Sequence, residues 1–162
     1  MKFLIVLAVA TATVAFPLAS EEAIEVQTAW NAVKDNQADM LYAVFKDYPE
    51  IQDKFPAFAS QDLEAIKNSE AFTSHAKRIF GQLSSIFDQI GVDSNEEEIK
   101  ASLERIGETH RNRNATKEDF GKFRNALTKY VASRVTWNEN LAAAWNKTFD
   151  GIFEIIFSKL AE

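Results

Sequence analysis

A chain of 162 residues suits one domain with a sizeable hydrophobic core. Five glycines and three prolines are too few for the turns of a β-sandwich or barrel, and the absence of cysteine excludes disulfide scaffolds, thiol catalysis and zinc–cysteine sites. A net charge of −6 argues against nucleic acid, itself a polyanion, as a partner.

The first 15 residues read as a secretory signal. Lys2 gives the positive start, Phe3 to Ala10 are mainly apolar, and the small residues Thr13 and Ala15 stand at the spacing signal peptidase needs. Cleavage is expected after Ala15, leaving a domain of residues 16–162. Pro17, Glu21 and Glu22 interrupt the apolar stretch too early for a membrane span, and no second stretch follows. The mature protein is therefore expected to be secreted, extracellular and without a membrane partner, its stability resting on its core alone.

From Glu21 onward almost every segment has helical spacing. Ser20 is expected to cap a first helix with Ala23, Val26, Trp30 and Val33 inward. A second starts near Gln37, with Leu41, Val44 and Phe45 inward. Pro49 suits the first turn of a short helix reaching Phe55. Pro56 then makes residues 54–59 irregular and leaves Phe55 and Phe58 in a loop. Residues 61–67 form a short helical piece. Ser69 caps a long helix to about Ile90, ended by Gly91. Ser94 with Glu97 makes a capping box for a helix running to His110, broken by the polar residues 111–114. Thr116 with Asp119 starts a helix from Lys117 to about Val135, and Thr136 with Glu139 starts the last, Asn138 to Leu160. The fold class is all-α, with seven to eight helices in one domain.

The only two histidines both fall on apolar stripes. Phe72, His75, Ile79, Leu83 and Ile86 share one face of the long helix, and Ile99, Leu103, Ile106 and His110 share one face of the next. Burying an imidazole costs free energy unless its nitrogens find partners, so one inward histidine is most simply a satisfied core residue. Two on successive helices ask for more. Zinc gains little support, because neither helix sets an inward carboxylate beside its histidine. A large flat cofactor between the helices suits the pair better. The 13 phenylalanines are core filler or the walls of such a slot.

At these residues the chain resembles a known family. The segments Leu-Tyr-Ala-Val-Phe at 41–45, Tyr-Pro-Glu at 48–50, Lys-Phe-Pro-Ala-Phe at 54–58, Phe-Thr-Ser-His-Ala-Lys-Arg-Ile at 72–79 and His-Arg-Asn-Arg at 110–113 are similar to globins. Ala-Ala-Trp-Asn at 143–146 and Ile-Ile-Phe-Ser-Lys at 155–159 extend the likeness, most closely to the secreted globins of midge larvae. The resemblance implies a globin fold around a pocket for haem b. It makes His110 the proximal iron ligand and His75 the distal residue facing bound oxygen. It places Phe55 against the haem with Phe58 beside it, Ile79 and Leu41 over the ligand, Ile106 beneath, Phe123 at the inner edge and Arg78 at the mouth, where it could pair a propionate. The two histidines are 35 residues apart, several more than in most globins, and the surplus falls in the acidic stretch from Gly91 to Glu98.

The resemblance implies an oxygen carrier or store rather than an enzyme, a monomer or homodimer, binding O2 and other diatomic gases. One alternative keeps the fold and lets His75 bind iron as well, giving a bis-histidyl protein for electron transfer or sensing. Another is a secreted helical carrier of small apolar ligands, although such carriers usually rely on disulfides. Two glycosylation sequons stand at 114–116 and 146–148. Trp30, Trp137 and Trp145 read as packing residues.

Overall fold

The computed structural model describes residues 18–92 and 95–160. The expected leader, Pro17 and Ser94 of the expected capping box lie outside them. The described residues form eight helices: α1 (Ser20–Asn31), α2 (Gln37–Asp47), α3 (Pro49–Gln52), α4 (Leu63–Ile66), α5 (Glu70–Phe87), α6 (Glu96–Arg111), α7 (Lys117–Ala132) and α8 (Glu139–Leu160). None of them is long and apolar enough to cross a membrane.

Side-chain caps set several of these boundaries. Ser69 Oγ accepts from the Phe72 N–H at 3.2 Å, and Thr116 and Asp119 exchange both bonds of a capping box at 3.2 and 2.8 Å. Elsewhere the expected cap shifts by a residue or two. Ser20 is the first helical residue of α1 rather than its cap, and the Glu22 carboxylate reaches back to the Ala19 N–H at 2.8 Å. At α8 the cap is Asn138, whose Oδ1 accepts from the Leu141 N–H at 2.9 Å, not Thr136. Four ends differ. The short α3 stops at Gln52 instead of Phe55, the piece at 61–67 is helical only over Leu63–Ile66, α5 stops at Phe87 instead of Ile90, and α7 at Ala132 instead of Val135. Turns of tighter hydrogen bonding follow all four ends, such as Phe55 N–H to Gln52 O at 2.9 Å and Gln89 N–H to Ile86 O at 3.1 Å. Gly91, at φ +80°, closes the turn after α5.

The helices assemble as two packed groups. One is α2 against α5 and α7; the other is α8 against α6 and α1, with α1–α5 and α7–α8 contacts joining them. The α6–α8 seam is the most extensive, and Gly107 allows it, because a Cβ there would collide with the Ile156 carbonyl of α8. Trp30, Phe45, Phe72, Phe80, Phe87, Trp145 and Phe149 fill the centre. The buried indoles keep their N–H groups bonded, Trp30 to Ser84 Oγ and Trp145 to Thr128 Oγ1, both at 2.9 Å. Leaving either unpaired would cost about 1–3 kcal/mol. The helices that carry the histidines, α5 and α6, fall in different groups and are not closely packed on each other.

Candidate functional site

On α6 the residues driven against α8 are Ile99, Leu103 and Gly107. Ile106 and His110 lie on the adjoining flank and are half-buried. The His110 Nδ1–H donates to the Ile106 carbonyl, one turn earlier, at 2.8 Å. A carbonyl can only accept, so the proton sits on Nδ1 and Nε2 keeps its lone pair. Burial pushes this imidazole below its ordinary pKa, the Ile106 carbonyl opposes the shift, and the charge of Arg113 adds to it. The Phe120 ring stands 5.2 Å from the imidazole and itself packs on Phe153 and Phe157 of α8. The result is a neutral imidazole, fixed in orientation, with a free nitrogen.

On α5 the buried residues are Phe72, Ala76, Phe80, Ile86 and Phe87, so Phe72 and Ile86 of the expected stripe are buried, while His75, Ile79 and Leu83 are half-buried on the flank. The sequence stripe named the flank as part of the core face. The difference arises because α2 and α1 cover one side of α5, and α6 does not close over the other. Arg78 Nη2 donates to His75 Nδ1 at 2.9 Å. A guanidinium has no acceptor, so Nδ1 holds the lone pair and a neutral ring carries its proton on Nε2. Desolvation lowers the His75 pKa first, with the charges of Arg78 and Arg113 reinforcing it. The two imidazoles thus hold opposite tautomers. His110 offers an unprotonated Nε2, His75 a protonated one.

The loop after α3 brackets His75 with aromatic rings. Phe55 and Phe58 meet the imidazole edge-on at 5.2 and 5.4 Å, and both pack on Phe45 of α2. Buried Gln52 holds this loop by donating to the Phe58 and Gln61 carbonyls at 2.9 and 2.8 Å. Lys54 pairs with Asp119 of α7 at 3.0 Å, tying the loop to the helix that bears Phe120 and Phe123.

The remaining expected residues divide by burial. Leu41 is fully buried on α2 and Phe58 nearly so. Phe55, Ile79, Ile106 and Phe123 are half-buried apolar side chains resting on the core, and Phe123 stacks on Phe80 at 5.9 Å. Arg78 is exposed and engages His75. Two neighbours escaped the sequence reading. Phe120 could have been found from its place three residues before Phe123, and Arg113 from its place three residues after His110. Only the fold brings the Arg113 charge within reach of both imidazoles. Two surface recesses have no histidine in their lining. One, of about 500 Å³, lies between α2 and α7 and includes Tyr42, Lys46, Lys129 and Arg134; another, of about 180 Å³, is lined by Ala115, Thr116, Lys117 and Leu160. Among the described residues no cluster of three or more metal-ligating side chains occurs.

Comparison with known proteins fixes the family. The Globin family model matches residues 38–156, a span that includes both histidines and the aromatic loop. The chain belongs to the globin family. Globin CTT-Z of the midge Chironomus thummi thummi is 44% identical to it over 158 residues, 97% of each chain. Among solved structures, a hemoglobin component (TA-VII) of Tokunagayusurika akamusi superposes on this globin with a TM-score of 0.87 at 31% identity, covering 88% of this chain and 96% of that one. A hexa-coordinate hemoglobin of Drosophila melanogaster gives a TM-score of 0.79 at 26% identity, covering 86% and 94%. These relatives are globins and haemoglobins, not enzymes. The expected all-helical globin fold is the fold observed.

Proposed function

We propose that this globin holds haem b through His110 and binds O2 reversibly as an extracellular carrier or store, with residues 1–15 as a leader and 16–162 as the exported domain. The opposite tautomers of the two histidines carry the reading. The residues fit a haem: one neutral imidazole with a free nitrogen, and a band of half-buried apolar side chains, Phe55, Ile79, Ile106 and Phe123, on elements around helices that do not close on each other. A bound haem would be held by His110 and would supply an iron that binds a diatomic gas reversibly.

Each side chain then has a task. His110 presents its Nε2 lone pair, and the Ile106 carbonyl fixes the ring's rotation and raises its basicity. His75 keeps a proton on Nε2, where it would be available to donate a hydrogen bond to a bound gas. Phe55, Ile79 and Leu41 form the apolar wall that keeps water away. Burial favours the neutral form of both imidazoles, and positive charge adds to it, from Arg78 and Arg113 at His75 and from Arg113 at His110.

The Drosophila relative, described as hexa-coordinate, gives the bis-histidyl reading its support. Against it stands the proton on His75 Nε2, since coordination through that nitrogen would require the proton to move to Nδ1 and break the Arg78 bond. An ultraviolet–visible spectrum of the purified protein, deoxygenated and then aired, tests both. The carrier reading expects a Soret band, a five-coordinate deoxy form and a reversible change on aeration. Sharp split visible bands in the deoxy form would favour two histidine ligands, and a preparation with no Soret band after hemin is added would end the haem reading.

A further inference from the structure

The chain offers two Asn-x-Thr sequences, and the fold treats them differently. Asn114 lies exposed in the turn between α6 and α7 at φ +55°, a left-handed position that asparagine tolerates. Its backbone N–H is engaged by the Arg111 carbonyl at 3.0 Å, while its side-chain amide has no hydrogen bond among the described residues. Thr116 is also exposed. Beside them is a recess of about 180 Å³ lined by Ala115, Thr116, Lys117 and Leu160.

The second sequon lies inside α8. Thr148 is 0% exposed and donates to the Ala144 carbonyl at 2.8 Å. Asn146 Oδ1 accepts from Arg124, which also pairs with Asp150 at 2.7 Å and lies over the Phe149 ring. A sugar on Asn146 would sit against that network. A sugar on Asn114 would project from a turn where nothing needs to move.

We propose that Asn114 is the N-glycosylation site of this globin. The inference rests on the export reading, because the modifying enzyme acts in the secretory lumen. The side-chain nitrogen of Asn114 attacks the anomeric carbon of a polyprenyl-diphosphate-linked oligosaccharide. A C–N bond forms, the C–O bond to the diphosphate breaks, the polyprenyl diphosphate leaves with the bonding pair, and one amide proton passes to a base. Transfer precedes folding, so what the structure decides is that the modified chain can still fold, because Asn114 is exposed in a turn.

The test expresses the full chain in insect cells in two forms, one with its own leader and one with residues 1–15 replaced by a proven leader. Secreted protein is weighed intact before and after peptide-N-glycosidase, which leaves aspartate where a sugar had been. The expected result is a loss of glycan mass, an aspartate at position 114, no mass shift in Asn114→Gly, and the full shift in Asn146→Gln. Glycine suits φ +55°, so the first variant keeps the turn. Secreted protein without a glycan, or a shift that survives Asn114→Gly, overturns the proposal. Retention of the native-leader form alone counts against export, while the second form still reads the site.

Discussion

Replacing Gly107 by alanine sets two known effects against each other. Alanine favours a helix interior over glycine by about 1 kcal/mol, which on its own would stabilise α6. The new Cβ, however, would stand 2.8 Å from Lys159 Cβ and closer still to the Ile156 carbonyl oxygen. The nearer obstacle is backbone on a neighbouring helix, so no rotamer change relieves it, and α6 must lift from α8 by on the order of 1 Å. A gap of that size forfeits up to half the dispersion energy of the atom pairs it opens. Overpacking of this kind costs about 1–3 kcal/mol, and the rigid obstacle puts it near the upper figure. The net expectation is a loss of about 2 kcal/mol, or a fall in Tm of about 4–8 °C for a domain of this size. Thermal unfolding followed by circular dichroism measures it. Gly81→Ala and Gly121→Ala are the internal controls, since a Cβ at either meets nothing within 4 Å, and both should gain about 1 kcal/mol. If Gly107→Ala melts at or above the controls, the close α6–α8 approach is wrong, and with it the account of how His110 is held.

The remaining expectations concern the histidine pair. His110→Ala should abolish the Soret band after hemin titration, and a native spectrum in that variant would remove His110 as the ligand. His75→Leu should speed oxygen release about 10- to 150-fold, matching about 1.5–3 kcal/mol for a hydrogen bond to a charged group; an unchanged stopped-flow rate would rule out the donated bond. Arg78→Leu should raise the His75 pKa toward the ordinary 6.5 and let its proton exchange between Nδ1 and Nε2, visible in imidazole nitrogen NMR shifts, whereas retention of a single tautomer would show that Arg78 does not set it. Both histidines have folded pKa values below 6.5, so the unfolded chain binds more protons near that pH. Their contribution to haem-free stability is therefore complete above about pH 6.5 and is lost as the pH falls through that value toward the lower folded pKa values. Urea midpoints across this window should drop for the parent and stay flat for a variant with glutamine at 75 and 110.

Parts of the candidate site were legible because their signals are local. Histidines beside apolar residues at helical spacing, phenylalanines stranded in a proline-interrupted loop, and capping residues at Ser69 and Thr116 can be read from a few neighbouring positions. Helix ends were less legible. Asn138 and Thr136 are both good caps, and Glu22 can satisfy the start of α1 whichever residue precedes it, so sequence chemistry leaves the choice within a turn.

By itself the sequence determined the helical class, the order and approximate extent of the helices, and the pairing of two histidines on successive ones, because periodicity and capping act over one or two turns. Only the tertiary structure decided which flank of α5 and α6 stays uncovered, that Arg78 engages His75, and that the Arg113 charge acts on both imidazoles. A period of 3.6 residues places a side chain on a face. What that face meets depends on helices far away in the chain, and so does the nitrogen on which each imidazole keeps its proton.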